Sequence, residues 1–381
     1  MRVLTCKHQQ MTQLSQDESE PTEKCTWDVP SRVGSVIRYW VRSDTPIDHA
    51  HVAAYLPAVT QGRRVEHQIE ISIDLTEAPS GEAGVSDAVT VEEFPGEWVA
   101  IIERNGRRTV ARRDGSLVSR CDYNAWSRLP ARVRCAATRS MLESIGAARI
   151  AMRVVRDISK TALMLNGYLL LHASVAARDG KAVAYVGAKG TGKSTLLLAC
   201  LARGATLIAN DRVLWNPLTG HCVAYPIAVM LHPDVAKRPE LAADGALWNE
   251  NPSVPGPGNG KLRVAPGRLS RALGTGYALE ATLVHLACLH RVAGSKGTLR
   301  EASVEAAKEM LESQLFTTND PTYAHHLYSR KPQGHKLASA ECLEAAPIRR
   351  WQVDCDPLAL DSSFVERLVG VLLPESRGPH R

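Results

Sequence analysis

Between residues 182 and 204 the chain reads AVAYVGAKGTGKSTLLLACLARG: an apolar strand pattern, a glycine-laden turn and an apolar helix pattern in direct succession. No other stretch narrows the available folds as much. Glycines at 187, 190 and 192 let the backbone curl tightly and turn successive N–H groups inward, which makes a nest for the oxygens of an anion. A helix starting at Lys193 adds its free N-terminal amides and its dipole to the same spot. Gly204 stands where a glycine ends such a helix.

The spacing Gly187-x-x-x-x-Gly192-Lys193-Ser194 fits the phosphate-binding loop of nucleoside triphosphatases. On that reading Gly187, Ala188, Lys189, Gly190, Thr191, Gly192, Lys193, Ser194 and Thr195 form the cofactor-binding wall. Lys193 reaches the β- and γ-phosphates, and the Ser194 hydroxyl is a ligand for Mg²⁺. The expected cofactors are therefore ATP or GTP together with Mg²⁺. The plainer alternative, a chance match on an ordinary strand-to-helix turn, fits less well with a strand before and a helix after.

An acid follows soon afterwards. The stretch ATLIAND brings Asp211 to the end of the next strand pattern, where a short helix and strand return the chain to the same sheet edge. Asp211 is thus a candidate catalytic acid and a second candidate metal ligand beside Ser194; capping of a turn is the alternative. His172 lies on the strand pattern YLLLHASVAA, which a turn at Arg178-Asp179-Gly180-Lys181 joins to the strand entering the loop. By itself a histidine on an apolar strand reads as a core residue.

The combination resembles the catalytic core of the HPr kinase/phosphorylase family and the related serine kinases of peptide-modifying gene clusters. In that family a histidine leads a strand pair into the phosphate loop, a helix ends in Arg-Gly, and an apolar strand ends in paired acids. His172, Gly187 to Ser194, Arg203-Gly204 and Asp211 match those features over roughly residues 165 to 225. The resemblance implies an α/β P-loop kinase core with a mixed sheet, akin to phosphoenolpyruvate carboxykinase. It further implies phosphoryl transfer from a nucleotide to a hydroxyl with Mg²⁺, with Asp211, Lys193 and His172 as catalytic residues. The acceptor would be a serine of a peptide or protein, or a small-molecule alcohol. The first of the family's two acids is here Asn210, and its glycine-rich second signature has no counterpart downstream. A nucleotide-dependent switch or regulatory ATPase without transfer stays open as the alternative.

The rest of the chain sets bounds. With 381 residues and 44% hydrophobic content, one large or two ordinary domains can bury a core. Four regions are expected: a polar, disordered tail over 1–34, a β-rich domain over 35–129, a helical connector over 130–165, and the P-loop domain over 166–381. The connector is expected to hold two helices, ARVRCAATRSMLESI and ARIAMRVVRDISKTALML. Hairpin turns are expected at Asn105-Gly106, Asp114-Gly115 and Asn216-Pro217, and later helices near 301–315 and 363–373. Lys261 and Arg263, at the end of a Pro/Gly-rich loop, are read as a surface turn or as a lid over the nucleotide. His325-His326 has no further ligand at helical spacing and reads as no metal site.

The net charge of +6 is spread along the chain, so it suits anionic ligands and gives no nucleic-acid tail. Nine cysteines without a Cys-x-x-Cys pair fit reduced thiols. No apolar run is long enough to cross a membrane, and the polar N-terminus lacks a secretory pattern, so a cytoplasmic location is expected. Neither nucleic acid nor membrane is expected as a partner, and assembly into a homo-oligomer is left open.

Overall fold

The computed structural model describes residues 23–31, 35–57, 67–77, 88–93, 99–103, 108–111, 132–137, 142–143, 146–231, 262–316 and 346–374. Within them the chain is mixed α/β, with two large mixed sheets and a small two-stranded one. The expected turns at Asn105-Gly106 and Asp114-Gly115, along with Lys261 and His325-His326, lie outside the described residues.

The first sheet contains β1 (Glu23–Pro30), β2 (Ser35–Ser43), β3 (His67–Glu77), β4 (Ala88–Glu93), β5 (Val99–Glu103), β6 (Arg108–Ala111) and β7 (Arg132–Ala137). Their spatial order is β1-β2-β3-β7-β4-β5-β6, parallel at β2/β3 and β3/β7 and antiparallel elsewhere. Helix α1 (His49–Tyr55) crosses from β2 to β3, and its N-cap Asp48 accepts a hydrogen bond from the His51 amide.

Two expectations are corrected here. The tail expected over 1–34 gives way at residues 23–30, which form β1, paired with β2 along its whole length. The reason is a period-two stripe within a polar composition: Trp27 and Val29 are buried and Cys25 packs against the core, while Lys24 and Thr26 face out. Asp28 and Arg38, opposite each other, add a two-pronged ion pair at 2.8 Å. The first connector helix is the second correction, because Arg132–Ala137 is a strand, β7. The neighbours β3 and β4 offer it a ladder on both sides, and its Arg-Val-Arg-Cys order suits a strand equally well. The second expected connector helix is present as α2 (Ala147–Leu165).

The second sheet holds β8 (Leu169–Leu171), β9 (Ala173–Arg178), β10 (Lys181–Val186), then, after helix α3 (Lys193–Leu201), β11 (Thr206–Ala209), β12 (Val213–Trp215) and β13 (His221–Ala224). A separate two-stranded ribbon follows, β14 (Val229–Leu231) with β15 (Leu262–Val264), and then helix α4 (Pro266–Ala272). The sheet is completed by β16 (Glu280–Arg291), β17 (Thr298–Glu301) and β18 (Arg349–Cys355); helices α5 (Val304–Gln314) and α6 (Ser362–Leu372) match the two later helices read from the sequence. Strand order is β11-β9-β10-β16-β13-β12-β8, with β18 also on β16 and β17 on β18. The β10/β16 and β16/β18 pairs are parallel. The expected β12/β13 hairpin around Asn216-Pro217 is present.

Both faces of this sheet are covered, which explains why β9 and β10 read as almost unbroken apolar runs. Val183 and Tyr185 point toward α3 and α6, joining Leu197, Leu201, Phe364 and Leu368 in one core. Ala182, Ala184 and Val186 point to the other face, where Ile150, Val154 and Val155 of α2 and Leu311 of α5 lie. The same core reaches Ile37, Tyr39 and Ile73 of the first sheet, so α2 is packed between the two sheets. The Tyr39 hydroxyl, 2.7 Å from Ser159 Oγ, satisfies the polar end of that contact.

Because Trp27 is 5% exposed within this shared core, Trp27→Ala is expected to lower unfolding free energy by about 3–5 kcal/mol. Urea unfolding measures it, and a loss within experimental error would show that β1 adds nothing to the first sheet.

Candidate functional site

The site begins with the turn between β9 and β10. Asp179 and Gly180 both have positive φ, 51° and 75°, the geometry that a two-residue hairpin demands. That turn makes β9 antiparallel to β10, and β11 pairs antiparallel on its other side. The beginning of β9 therefore lies at the same edge as the ends of β10 and β11. His172, the loop after Val186 and the Asn210-Asp211 pair meet there.

The loop itself requires glycine at two positions. A Cβ on Gly187 would lie 2.7 Å from the Leu289 carbonyl oxygen, and one on Gly192 2.9 Å from Pro357 Cγ. Gly192 also has φ +101° and serves as N-cap of α3, where no side chain caps the helix. The first-turn N–H groups of α3 are thus left facing the loop. Ala188, Lys189 and Gly190 are exposed, and Thr191 is buried with its hydroxyl donating to Ala188 O at 2.9 Å. Lys193 is folded inward, 8% exposed, with Nζ donating to Gly187 O at 2.5 Å and Ala188 O at 3.2 Å. Thr195 is half-buried in the first turn of α3.

Asn210, 6% exposed, is held by two hydroxyls: Ser174 Oγ of β9 and Ser194 Oγ of α3 donate to its Oδ1 at 2.9 and 3.0 Å. Asp211 next to it adopts φ +80°, a left-handed conformation that Asp tolerates better than most residues. That turn directs its carboxylate at His172, with Oδ1 3.0 Å from Nε2. Its Oδ2 is 3.7 Å from Arg212 Nε, an ion pair too long for a hydrogen bond. Burial pushes the Asp211 carboxyl up, but the hydrogen bond from His172 and the charges of His172, Arg212 and Lys193 outweigh it, leaving the pKa below the usual value. The His172 backbone is itself fixed, its N–H donating to Gln314 O at 2.8 Å in the break between β8 and β9.

All three catalytic candidates, Lys193, Asp211 and His172, therefore converge, together with Ser194. Arg263 lies on β15, where its charge acts on Tyr55. Among the described residues no group of three or more His, Cys, Asp or Glu side chains could hold a metal ion unaided. A Mg²⁺ that arrives with nucleotide phosphates needs only one or two protein oxygens. Ser194 Oγ and the Asp211 carboxylate are hard oxygen donors of the kind that could hold such an ion.

Three participants escaped the sequence reading. Ser174, in β9, sits two residues after His172, and its hydroxyl reaches Asn210 at 2.9 Å. Arg212 follows Asp211 directly and is stacked between two rings, 5.0 Å from the Phe316 centroid and 5.8 Å from that of Tyr225. Phe316 comes from far along the chain and also lies against His172, with ring centroids 6.0 Å apart. No local pattern could have signalled it.

The sequence matches no known family model and no curated protein. No helix among the described residues is long and apolar enough to cross a membrane.

Because its folded pKa is depressed, the stability that ionised Asp211 contributes is present above its ordinary value near 3.8 and is lost as pH falls through the lower folded value. Carbon-13 NMR titration of the Asp211 carboxyl is expected to give a midpoint below 3.8. A midpoint above that value would mean that burial prevails over the His172 contact.

Proposed function

We propose that this protein is a nucleotide-dependent kinase that transfers the terminal phosphoryl group of ATP or GTP, with Mg²⁺, to a hydroxyl acceptor. The observation that carries the reading is the His172–Asp211 contact at 3.0 Å, placed at the sheet edge where the Gly187–Ser194 loop opens. The finer fold proposed is a P-loop kinase core akin to that of HPr kinase and phosphoenolpyruvate carboxykinase. The strand–loop–helix order of β10 and α3, the glycine-only positions 187 and 192, and the mixed sheet support it.

In the proposed mechanism the loop amides and the N-terminus of α3 cradle the phosphates. Lys193 exchanges its two carbonyl contacts for the β- and γ-phosphate oxygens, where its charge offsets that developing in transfer. Ser194 and Asp211 would hold the Mg²⁺, which would supply electrostatic stabilisation of the transferred charge. The Asp211 carboxylate accepts the acceptor's hydroxyl proton or orients that hydroxyl, and His172 Nε2, 3.0 Å from Oδ1, holds the carboxylate in position. Since Asp211 titrates low, its larger contribution is orientation and charge placement, the terms that dominate phosphoryl transfer. Asn210, an amide, accepts no proton; its carbonyl oxygen positions Ser194.

Incubation with γ-labelled ATP, Mg²⁺ and serine peptides or small alcohols tests the proposal. Acceptor-dependent label transfer is expected, whereas phosphate release alone would favour a regulatory ATPase. Lys193→Ala is expected to abolish transfer, and Asp211→Asn to reduce it about 10²–10⁴-fold with nucleotide affinity retained. Asn210→Asp, whose carboxylate can still accept from Ser174 and Ser194, is expected to keep measurable activity. Wild-type turnover in Asp211→Asn would rule out the role given to that carboxylate.

A further inference from the structure

Beside the proposed transfer site the structure carries a basic track that the mechanism does not use. It begins at Arg212, which pairs with Asp211 yet keeps its buried Nε without a hydrogen-bond partner among the described residues. The Tyr225 ring on which Arg212 lies is shared: Arg156 of α2 sits on it as well, 5.9 Å from the centroid. Arg156 is anchored there by its own backbone acceptors, Met152 O at 3.2 Å and Pro226 O at 3.1 Å.

From Arg156 the track continues to α1, which packs against both α2 and α4. The close fit of α1 on α4 is enforced by Gly267, where a Cβ would lie 2.9 Å from Ala54 O. Tyr277 Oη donates to Tyr55 O at 2.8 Å and ties the end of α1 to the second sheet's flank. Around this junction stand Arg149 of α2, Arg263 of β15 and Arg268 of α4, all exposed. Their charges, with that of Arg156, act together on Tyr55. Arg149, Arg268 and Arg156 also act on His51, whose pKa burial and these charges lower; Asp48 is the carboxylate that acts against them. Arginines brought together from three separate elements leave a field that favours an anionic partner.

We infer that this track docks an acidic segment of the phosphoryl acceptor, so that the acceptor is a peptide or protein whose target hydroxyl lies next to a run of Asp and Glu. Guanidinium groups bind carboxylates in a planar, two-pronged way, and a spread of them along a surface suits an extended chain better than one compact anion. The position suits it too, since the track starts beside Asp211. A short acidic segment lying on Arg149, Arg263 and Arg268 leads past Tyr225 to Arg212 and the transfer site. The inference rests on the proposed transfer to a hydroxyl, and its test is therefore built on binding, which requires no transfer.

The probes are a fluorescein-labelled serine peptide with flanking Asp and Glu, the same peptide with Gln and Asn in their place, and a polyuridylate oligonucleotide of similar charge. Fluorescence anisotropy gives Kd for each with the wild type and with the Arg149→Ala/Arg263→Ala/Arg268→Ala variant. These side chains are exposed, so the variant should fold, and ATP affinity serves as the control. The acidic peptide is expected to bind roughly tenfold more tightly than its neutral twin, and to lose that margin in the variant and in high salt. Equal affinities for the two peptides, an unchanged margin in the variant, or stronger binding of the oligonucleotide than of the acidic peptide would each overturn the inference. Arginine-dependent binding of the acidic peptide without label transfer would instead preserve the docking surface and defeat the kinase reading.

Discussion

Everything at the candidate site depends on β9 pairing antiparallel with β10 on one side and β11 on the other. That arrangement places the start of one strand against the ends of two others. His172, the glycine-rich loop and Asp211, separated along the chain, thereby fall on one edge without any long connection. The pairing is paid for by burial, since Ala173 to Ala177 and Ala182 to Val186 are all nearly inaccessible. With α3 and α6 on one face and α2 and α5 on the other, the strands cannot slip without turning every side chain into the wrong layer. The edge is therefore a rigid platform, and the groups that it presents are set by register.

Polar satisfaction then fixes the details. Asn210 is buried, and one carbonyl oxygen takes both the Ser174 and the Ser194 hydroxyl. It thus links β9, the tip of α3 and the end of β11 through a neutral group. A carboxylate could accept the same two bonds but would add a charge in a largely desolvated position beside Asp211. Asp211, less buried, carries the charge instead and has His172 and Arg212 to offset it. The division places the neutral partner inside and the ionised one at the rim, in keeping with the cost of burying each.

What could be read from the sequence follows the range of the interactions involved. The β10–loop–α3 unit was legible because the φ of Gly192 demands glycine locally, whereas the approach of Leu289 of β16 to Gly187 is a distant contact that the sequence does not show. Asp211 was legible as a candidate from its place after the loop, His172 only through the family resemblance, and the hairpin geometry brings the two together. The strand β1 was hidden by polar composition, although Cys25, Trp27 and Val29 form a period-two stripe. Strand β7 was hidden because Arg, Val, Cys and Ala suit either period, and its ladder partners β3 and β4 decide the matter from a distance. Arg212 was adjacent to a residue already singled out, but its role depends on Phe316 and Tyr225, which no local pattern connects to it.

The loop proposed to bind phosphate must also satisfy its own buried lysine. An ammonium group in a mostly inaccessible position needs acceptors, and Lys193 finds them in the carbonyls of Gly187 and Ala188, the loop's own backbone. These are weak competitors for a phosphate, because a neutral carbonyl attracts an ammonium less strongly than an anionic oxygen does. No side chain caps the start of α3, and the positive end of its dipole favours the same exchange. Polyanion binding would therefore replace modest internal contacts with charge-assisted ones, while Gly187 and Gly192, wedged against Leu289 and Pro357, keep the loop from collapsing around its own lysine. Loop conformation is thus set by packing against β16 and the segment after β18, and the affinity proposed for a polyanion would be left to the charges.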